Sequence, residues 1–561
     1  MKPISTKSIP EFGGMIMKLA RVFGDYMVLQ RRMPIRIWGE NEAPAGAEVK
    51  LNGVTLCSAS LPAGPFALTL PAQEAMLDAT LEIGGLVLRH VDIGEVWVAG
   101  GQSNMEFMLQ YTSGGEDAIA NADDPHLRFY TVGQYSFAGE REMGYKAWNP
   151  WDRWLPFTKE HAAGMTAVGI HFAEELRKEG VSVGILSVNW GGTSASTWMS
   201  RSALAADPEI SCYVTEFDSL VAALDLERFQ AIKRVIRPAM AAPESRQMMG
   251  FLLKNTLHPG EFEKMMAAGQ AMQAPDSSGI DLSKMSMAEI MAVGPGDANE
   301  PGALYENMMR EIIGYSVRGV IWYQGETDES HPDIYDKLFA AMISCWRADW
   351  LAQNPAQTRL PFLFVQLAPF GTWQGSNGDR YPALRACQAR AAKQVPDCRM
   401  ASISDLGNVF DVHPKEKKPV GQRLALLAEK YVYGRDAAAD APEGAAANRS
   451  GNTVTVTFRN GEGLHLTGAD FTAYNGFPVE EIPSRLLPPI LGGVNGLQVL
   501  ADGKGLEEAD CTARDGQLRI TAPGLAAAER IEIRFAQTGF YQVNLYNAAG
   551  LPAEPFAFII N

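Results

Sequence analysis

The chain has 561 residues, 46% of them hydrophobic and 20% charged, with a formal net charge of −16. This balance excludes a disordered chain and supplies apolar material for more than one core. It also argues against a nucleic-acid binder, because the densest basic run, Lys415-Glu416-Lys417-Lys418, is too short for a phosphate-tracking patch.

No stretch reaches the roughly 18 apolar residues of a membrane-spanning helix. The start Met1-Lys2-Pro3-Ile4-Ser5-Thr6-Lys7 is not followed by an apolar leader segment. Six cysteines are scattered without a CxxC pair, so the expectation is a cytoplasmic protein with free thiols.

From about Phe23 to Asp92, short runs such as Met27-Val28-Leu29, Ile35-Arg36-Ile37-Trp38 and Leu81-Glu82-Ile83 alternate with period two. Asn52-Gly53 and Gly84-Gly85 punctuate them, which predicts a small β-sandwich over 15–92. The pattern changes at Glu95-Val96-Trp97-Val98-Ala99-Gly100-Gly101, an apolar strand running into two glycines. A helix is expected over Ala167 to Glu179, and a strand over Val181 to Val188. Further strands are expected over Val317 to Tyr323, Pro361 to Leu367 and Ala401 to Ile403. Helices are expected over Tyr335 to Trp350, Tyr381 to Val395 and Val420 to Tyr433. Alternating strands and helices imply a parallel α/β core over 93–435. A Met-rich helical segment, about 203–303, reads as an insertion that could cover a site. Beyond Asp436 the chain returns to β patterning, as in Thr453-Val454-Thr455-Val456-Thr457-Phe458, which predicts a second β-sandwich over 436–561.

Chemistry-bearing residues fall at the expected strand ends, the edge where open α/β sheets bind ligands. Ser103, in Gly100-Gly101-Gln102-Ser103-Asn104-Met105, follows a glycine turn that can present a hydroxyl beside backbone N–H groups. It is not a Gly-x-Ser-x-Gly elbow, since Met105 replaces the last glycine. Trp190-Gly191-Gly192-Thr193 is a second glycine turn, and Gln324 in Trp322-Tyr323-Gln324-Gly325-Glu326 a third polar strand end. Asp411-Val412-His413-Pro414 supplies an acid and a base close together. Trp190, Trp198, Trp322 and Tyr323 could equally form a sugar-stacking wall or buried core. His331 reads as a loop residue. No metal-ligand spacing such as HExxH appears.

These blocks resemble the SGNH-hydrolase superfamily, and within it the sialate O-acetylesterase family of carbohydrate esterases. The likeness rests on Met27-Val28-Leu29-Gln30-Arg31, Gly101-Gln102-Ser103-Asn104-Met105-Glu106, Trp190-Gly191-Gly192-Thr193, Gly319-Val320-Ile321-Trp322-Tyr323-Gln324-Gly325-Glu326-Thr327 and His413-Pro414-Lys415, continuing to Asn544-Leu545-Tyr546-Asn547. It implies an α/β fold with a parallel three-layer α/β/α core and β-sandwich domains at both ends. It implies Ser103 as nucleophile, His413 as base and Asp411 as its orienting acid. The oxyanion hole would comprise the N–H groups of Ser103 and Gly192 and the Gln324 side chain. Gln102, Asn104, Trp190 and Glu326 would line the substrate site.

Neither metal nor cofactor is expected. The expected partner is an acetylated sugar or oligosaccharide, with no nucleic acid and no membrane, and the oligomeric state stays open, a homodimer being one option. The superfamily places the acid three residues before the histidine, where this chain has Phe410. Asp411, Asp405 or a backbone carbonyl therefore all remain open as the partner of His413. An esterase of plant oligosaccharides and a non-catalytic carbohydrate-binding protein are the alternative readings. A glycosidase would need two facing carboxylates, such as Asp411 and Glu326.

Overall fold

A computed structural model describes residues 17–143, 152–261, 264, 285–468 and 470–561. The leader-free reading of Met1 to Lys7 and part of the 203–303 insertion lie outside the described residues. At the centre is a mixed sheet. Its main path runs Trp154–Thr158, Asp123–Thr131, Val183–Asn189, Leu86–Gly101, Gly319–Tyr323, Phe362–Val365 and Cys398–Ala401. Every neighbouring pair on this path is parallel except the first, where Trp154–Thr158 runs antiparallel to Asp123–Thr131. The expectation of a purely parallel core is corrected by that edge strand. Both unforeseen strands contain a proline, Pro125 and Pro156, which weakens the strand signal in the sequence and suits positions near an edge.

Helices cover both faces. Successive residues of a strand point to opposite sides, so Val96, Val98, Val320 and Trp322 pack with Leu338, Phe339 and Met342 of the helix Tyr335–Gln353. Trp97, Ala99, Ile321 and Tyr323 pack with Phe172 of Ala167–Arg177 and Leu424 of Lys417–Tyr431. The strand Leu86–Gly101 is 16 residues long and passes 92/93 without a break. Its first half pairs with Met76–Ile83, so the N-terminal β strands share a sheet and an apolar core with the α/β part. The C-terminal residues form two four-stranded sheets that enclose a core of their own, including Val454, Leu518, Val499 and Ile533. The insertion contributes helices Cys212–Ala223, Leu226–Ala241 and Pro243–Lys254.

Candidate active site

Register brings three strand ends to one edge. Gly101 lies opposite Asn189 on one side and Tyr323 on the other, so the segments that follow all three leave the sheet together. Only glycine fits at 101. Its φ is +144°, and a Cβ there would meet the Tyr323 carbonyl oxygen at 2.1 Å. The chain then turns into a short helix, Ser103–Glu106, which carries Ser103 at its first position. A Cβ on Gly191 would sit 3.1 Å from Ser103 Cβ, so the second glycine turn lies directly against the serine.

His413 arrives from the loop between Cys398–Ala401 and the helix Lys417–Tyr431. Its Nε2 is 2.9 Å from Ser103 Oγ, and its Nδ1 is 3.1 Å from Asp411 Oδ1. The two-residue spacing works because the same carboxylate oxygen also accepts the backbone N–H of His413 at 2.8 Å, a tight local turn. Asp405 does not compete. Both of its oxygens are held at 2.7 Å by the Arg423 guanidinium. Phe107 stacks on the imidazole at 5.7 Å and Trp373 meets it edge-on at 4.9 Å.

Burial pushes the His413 imidazole below its ordinary value, although Asp411 pulls the other way. Burial alone would raise the Asp411 carboxyl, but His413 and Lys415 outweigh it and carry the group below the usual carboxylate range. The resting site is therefore a neutral imidazole beside a carboxylate, the protonation a general base requires.

The glycine turn is braced on three sides. Glu106 accepts the Gly191 N–H at 2.7 Å and the Gln134 amide at 2.9 Å. Asn299 donates to the Gly192 carbonyl at 2.9 Å. Thr193 Oγ1 donates to the Trp190 carbonyl at 2.7 Å. Gly192 itself is exposed, with φ +71°.

Several expected roles do not fit this geometry. Gln324 is fully buried, and its amide donates to the Thr193 carbonyl and to Asp328 Oδ2 while its oxygen accepts from Tyr335. It supports the glycine turn from below and has no N–H left for an oxyanion. Asn104 is also buried, donating to Glu326 Oε1 and the Val412 carbonyl and accepting from Lys417. Gln102 accepts from Gly325 and Thr327, holding the neighbouring loop. Asn104 and Glu326 are thus tied into the scaffold beneath the serine, whereas only the side-chain oxygen of Gln102 is engaged. Of that group Trp190 alone is partly exposed. Trp198, Trp322 and Tyr323 are core. Glu326 bonds Asn104, and Asp411 bonds His413 and Lys415, so this carboxylate pair is not arranged for glycosidic chemistry.

Sequence reasoning missed Glu106, Trp373, Lys415 and Lys417. A signal existed for Glu106, which lies three residues after Ser103 on the same short helix and so projects to the same side.

Residues 287–429 match the family model for carbohydrate esterase, sialic acid-specific acetylesterase. That span holds Asp411 and His413, while Ser103 and Gly192 precede it. The chain is 25% identical over 462 residues to a sialate O-acetylesterase of Rattus norvegicus, covering 75% of this chain and 74% of that protein. It is 24% identical to the sialate O-acetylesterase of Homo sapiens over 66% of this chain and 59% of that one. The crystal structure of a carbohydrate acetylesterase from Xanthomonas citri superposes with a TM-score of 0.67 at 26% identity, covering 97% and 99% of the two chains. The chain is a carboxylic-ester hydrolase similar to the sialic acid-specific acetylesterases among the carbohydrate esterases.

Proposed function

We propose that this carbohydrate acetylesterase works through an acetyl-Ser103 intermediate, with His413 as base and acid and Asp411 as its orienting carboxylate. The observation that carries the reading is the continuous line Ser103 Oγ, His413 Nε2, His413 Nδ1, Asp411 Oδ1, with links of 2.9 and 3.1 Å. His413 removes the Ser103 proton as Oγ attacks the acetyl carbonyl. The backbone N–H groups of Ser103 and Gly192 receive the oxyanion, the first because an opening helical residue has no helical acceptor, the second because its turn is exposed. His413 then protonates the departing sugar hydroxyl, and water reverses the sequence. Ser103→Ala should lower acetate release by several orders of magnitude while leaving the fold intact. Near-parent turnover would refute the mechanism.

Helices on both faces of the largely parallel sheet support an SGNH-type three-layer core, with β-sandwich units before about residue 92 and after about residue 435. The names of the relatives favour an O-acetylated sialic acid as substrate, and an acetylated plant oligosaccharide is the competing class. Acetate release across a panel of both classes separates them. Six unpaired cysteines support a reducing, cytoplasmic setting.

A further inference from the structure

Three metal-binding side chains with no shared spacing motif meet away from Ser103. Cys212 and Glu216 stand one turn apart on the helix Cys212–Ala223, and so project from one side of it. His331 comes from the core, at the end of the turn Glu326–Ser330 that follows the strand Gly319–Tyr323. One ligand atom from each residue lies within 4.8 Å of the other two. His331 Nε2 faces Glu216 Oε2 at 2.9 Å. We propose that Cys212, Glu216 and His331 bind a zinc-like transition-metal cation that ties the inserted helix to the core.

The donor set selects the ion. A thiolate and an imidazole suit zinc, whereas magnesium and calcium take oxygen donors. Three protein ligands leave the fourth tetrahedral position to water. Donors around tetrahedral zinc lie about 3.5 Å apart, given its bond lengths of about 2.0–2.3 Å. The His331–Glu216 pair must open slightly and the Cys212 thiol draw in, small shifts to which the 57% exposed Glu216 side chain can adapt.

A thiol binds a metal as its thiolate, so binding displaces the Cys212 proton. The facing groups are Glu216 and His331, with Tyr213 edge-on to the imidazole at 4.9 Å. The Tyr213 hydroxyl donates to Asp328 Oδ1 at 3.1 Å. Asp328 also accepts from Ser194 Oγ and the Ala195 N–H, just past the glycine turn. The cation would thus act as a mechanical tie between insertion and core, with no part in acetyl transfer.

The test is a cobalt titration of the metal-free, full-length protein in a phosphine reductant. A near-ultraviolet thiolate-to-cobalt band should saturate at a single equivalent and be displaced by zinc. Cys212→Ser should abolish that band, and His331→Gln should weaken binding by about tenfold or more, as losing metal-site support does. Both variants should release acetate at the parent rate in chelator, which reports an intact fold. If Cys212→Ser does not fold, His331→Gln alone carries the comparison. No band in the parent, or the same band and affinity in the folded variants, would overturn the proposal.

Discussion

Lys415 Nζ stands 2.6 Å from Asp411 Oδ2, the carboxylate oxygen that does not face His413, and also donates to the Leu253 carbonyl at 2.5 Å. One ammonium thus joins the orienting acid to the inserted helix Pro243–Lys254. Its charge also helps depress His413, after burial has done most of that work. In Lys415→Met the imidazole value should rise, because a repelling positive charge is gone. The acid limb of the kcat/KM profile should then move to higher pH. The rate at its plateau should fall by roughly tenfold or more, the scale of one charged hydrogen bond. Lys415→Arg should recover part of both effects. An unshifted profile would show that Lys415 only packs.

Glu106 bears on the oxyanion instead. Without its carboxylate, the Gly191 N–H loses its acceptor and the adjacent Gly192 N–H its fixed direction. Glu106→Ala should lower kcat by about 10- to 100-fold with little change in KM, as expected for an interaction used only in the transition state. Glu106→Gln should be milder, since the amide oxygen can still accept. Steady-state kinetics on one acetylated substrate distinguish the two variants.

For Gln324 the two roles predict different losses. If its side chain braces the turn, Gln324→Ala leaves the buried Asp328, Tyr335 and Thr193 groups short of a partner. The protein should lose on the order of 1–3 kcal/mol of stability for each such group. A variant with parental thermal stability and a large kcat defect would restore Gln324 as an oxyanion donor.

Lys417 provides a pH signature of burial. It donates to Asn104, its ammonium lies 4.8 Å from the Phe107 ring, and burial pushes its value down to about 7 from 10.5. Between those two values the unfolded chain binds the proton more tightly than the folded one, so this group contributes stability that rises with pH. Relative to Lys417→Met, the parent should gain stability on going from neutral toward alkaline pH. Paired denaturant titrations measure the difference, and parallel pH dependences in the two proteins would count against a depressed Lys417.

Local pattern was enough to read much of this protein. Apolar strands ending in glycine, at Gly101 and again at Gly191-Gly192, carry their own signal because a tight turn at a sheet edge needs residues without side chains. Ser103 sits beside such punctuation, and most helices of the core announce themselves by period. The antiparallel edge strand did not, because its proline breaks the pattern that marks a strand.

What tertiary structure alone decided is which polar groups are already committed. Asp405 and Asp411 look equivalent in the sequence, and only the approach of Arg423 removes one while the His413 turn recruits the other. Gln324 resembles a free strand-end amide until Asp328 and Thr193 are seen to consume its donors. Cys212, Glu216 and His331 become neighbours only when the inserted helix folds back on the core. The physical reason is the same in each case. A hydrogen-bonding or ligand group has a fixed capacity, and its partners come from segments that the fold, not the spacing along the chain, brings within about 3 Å.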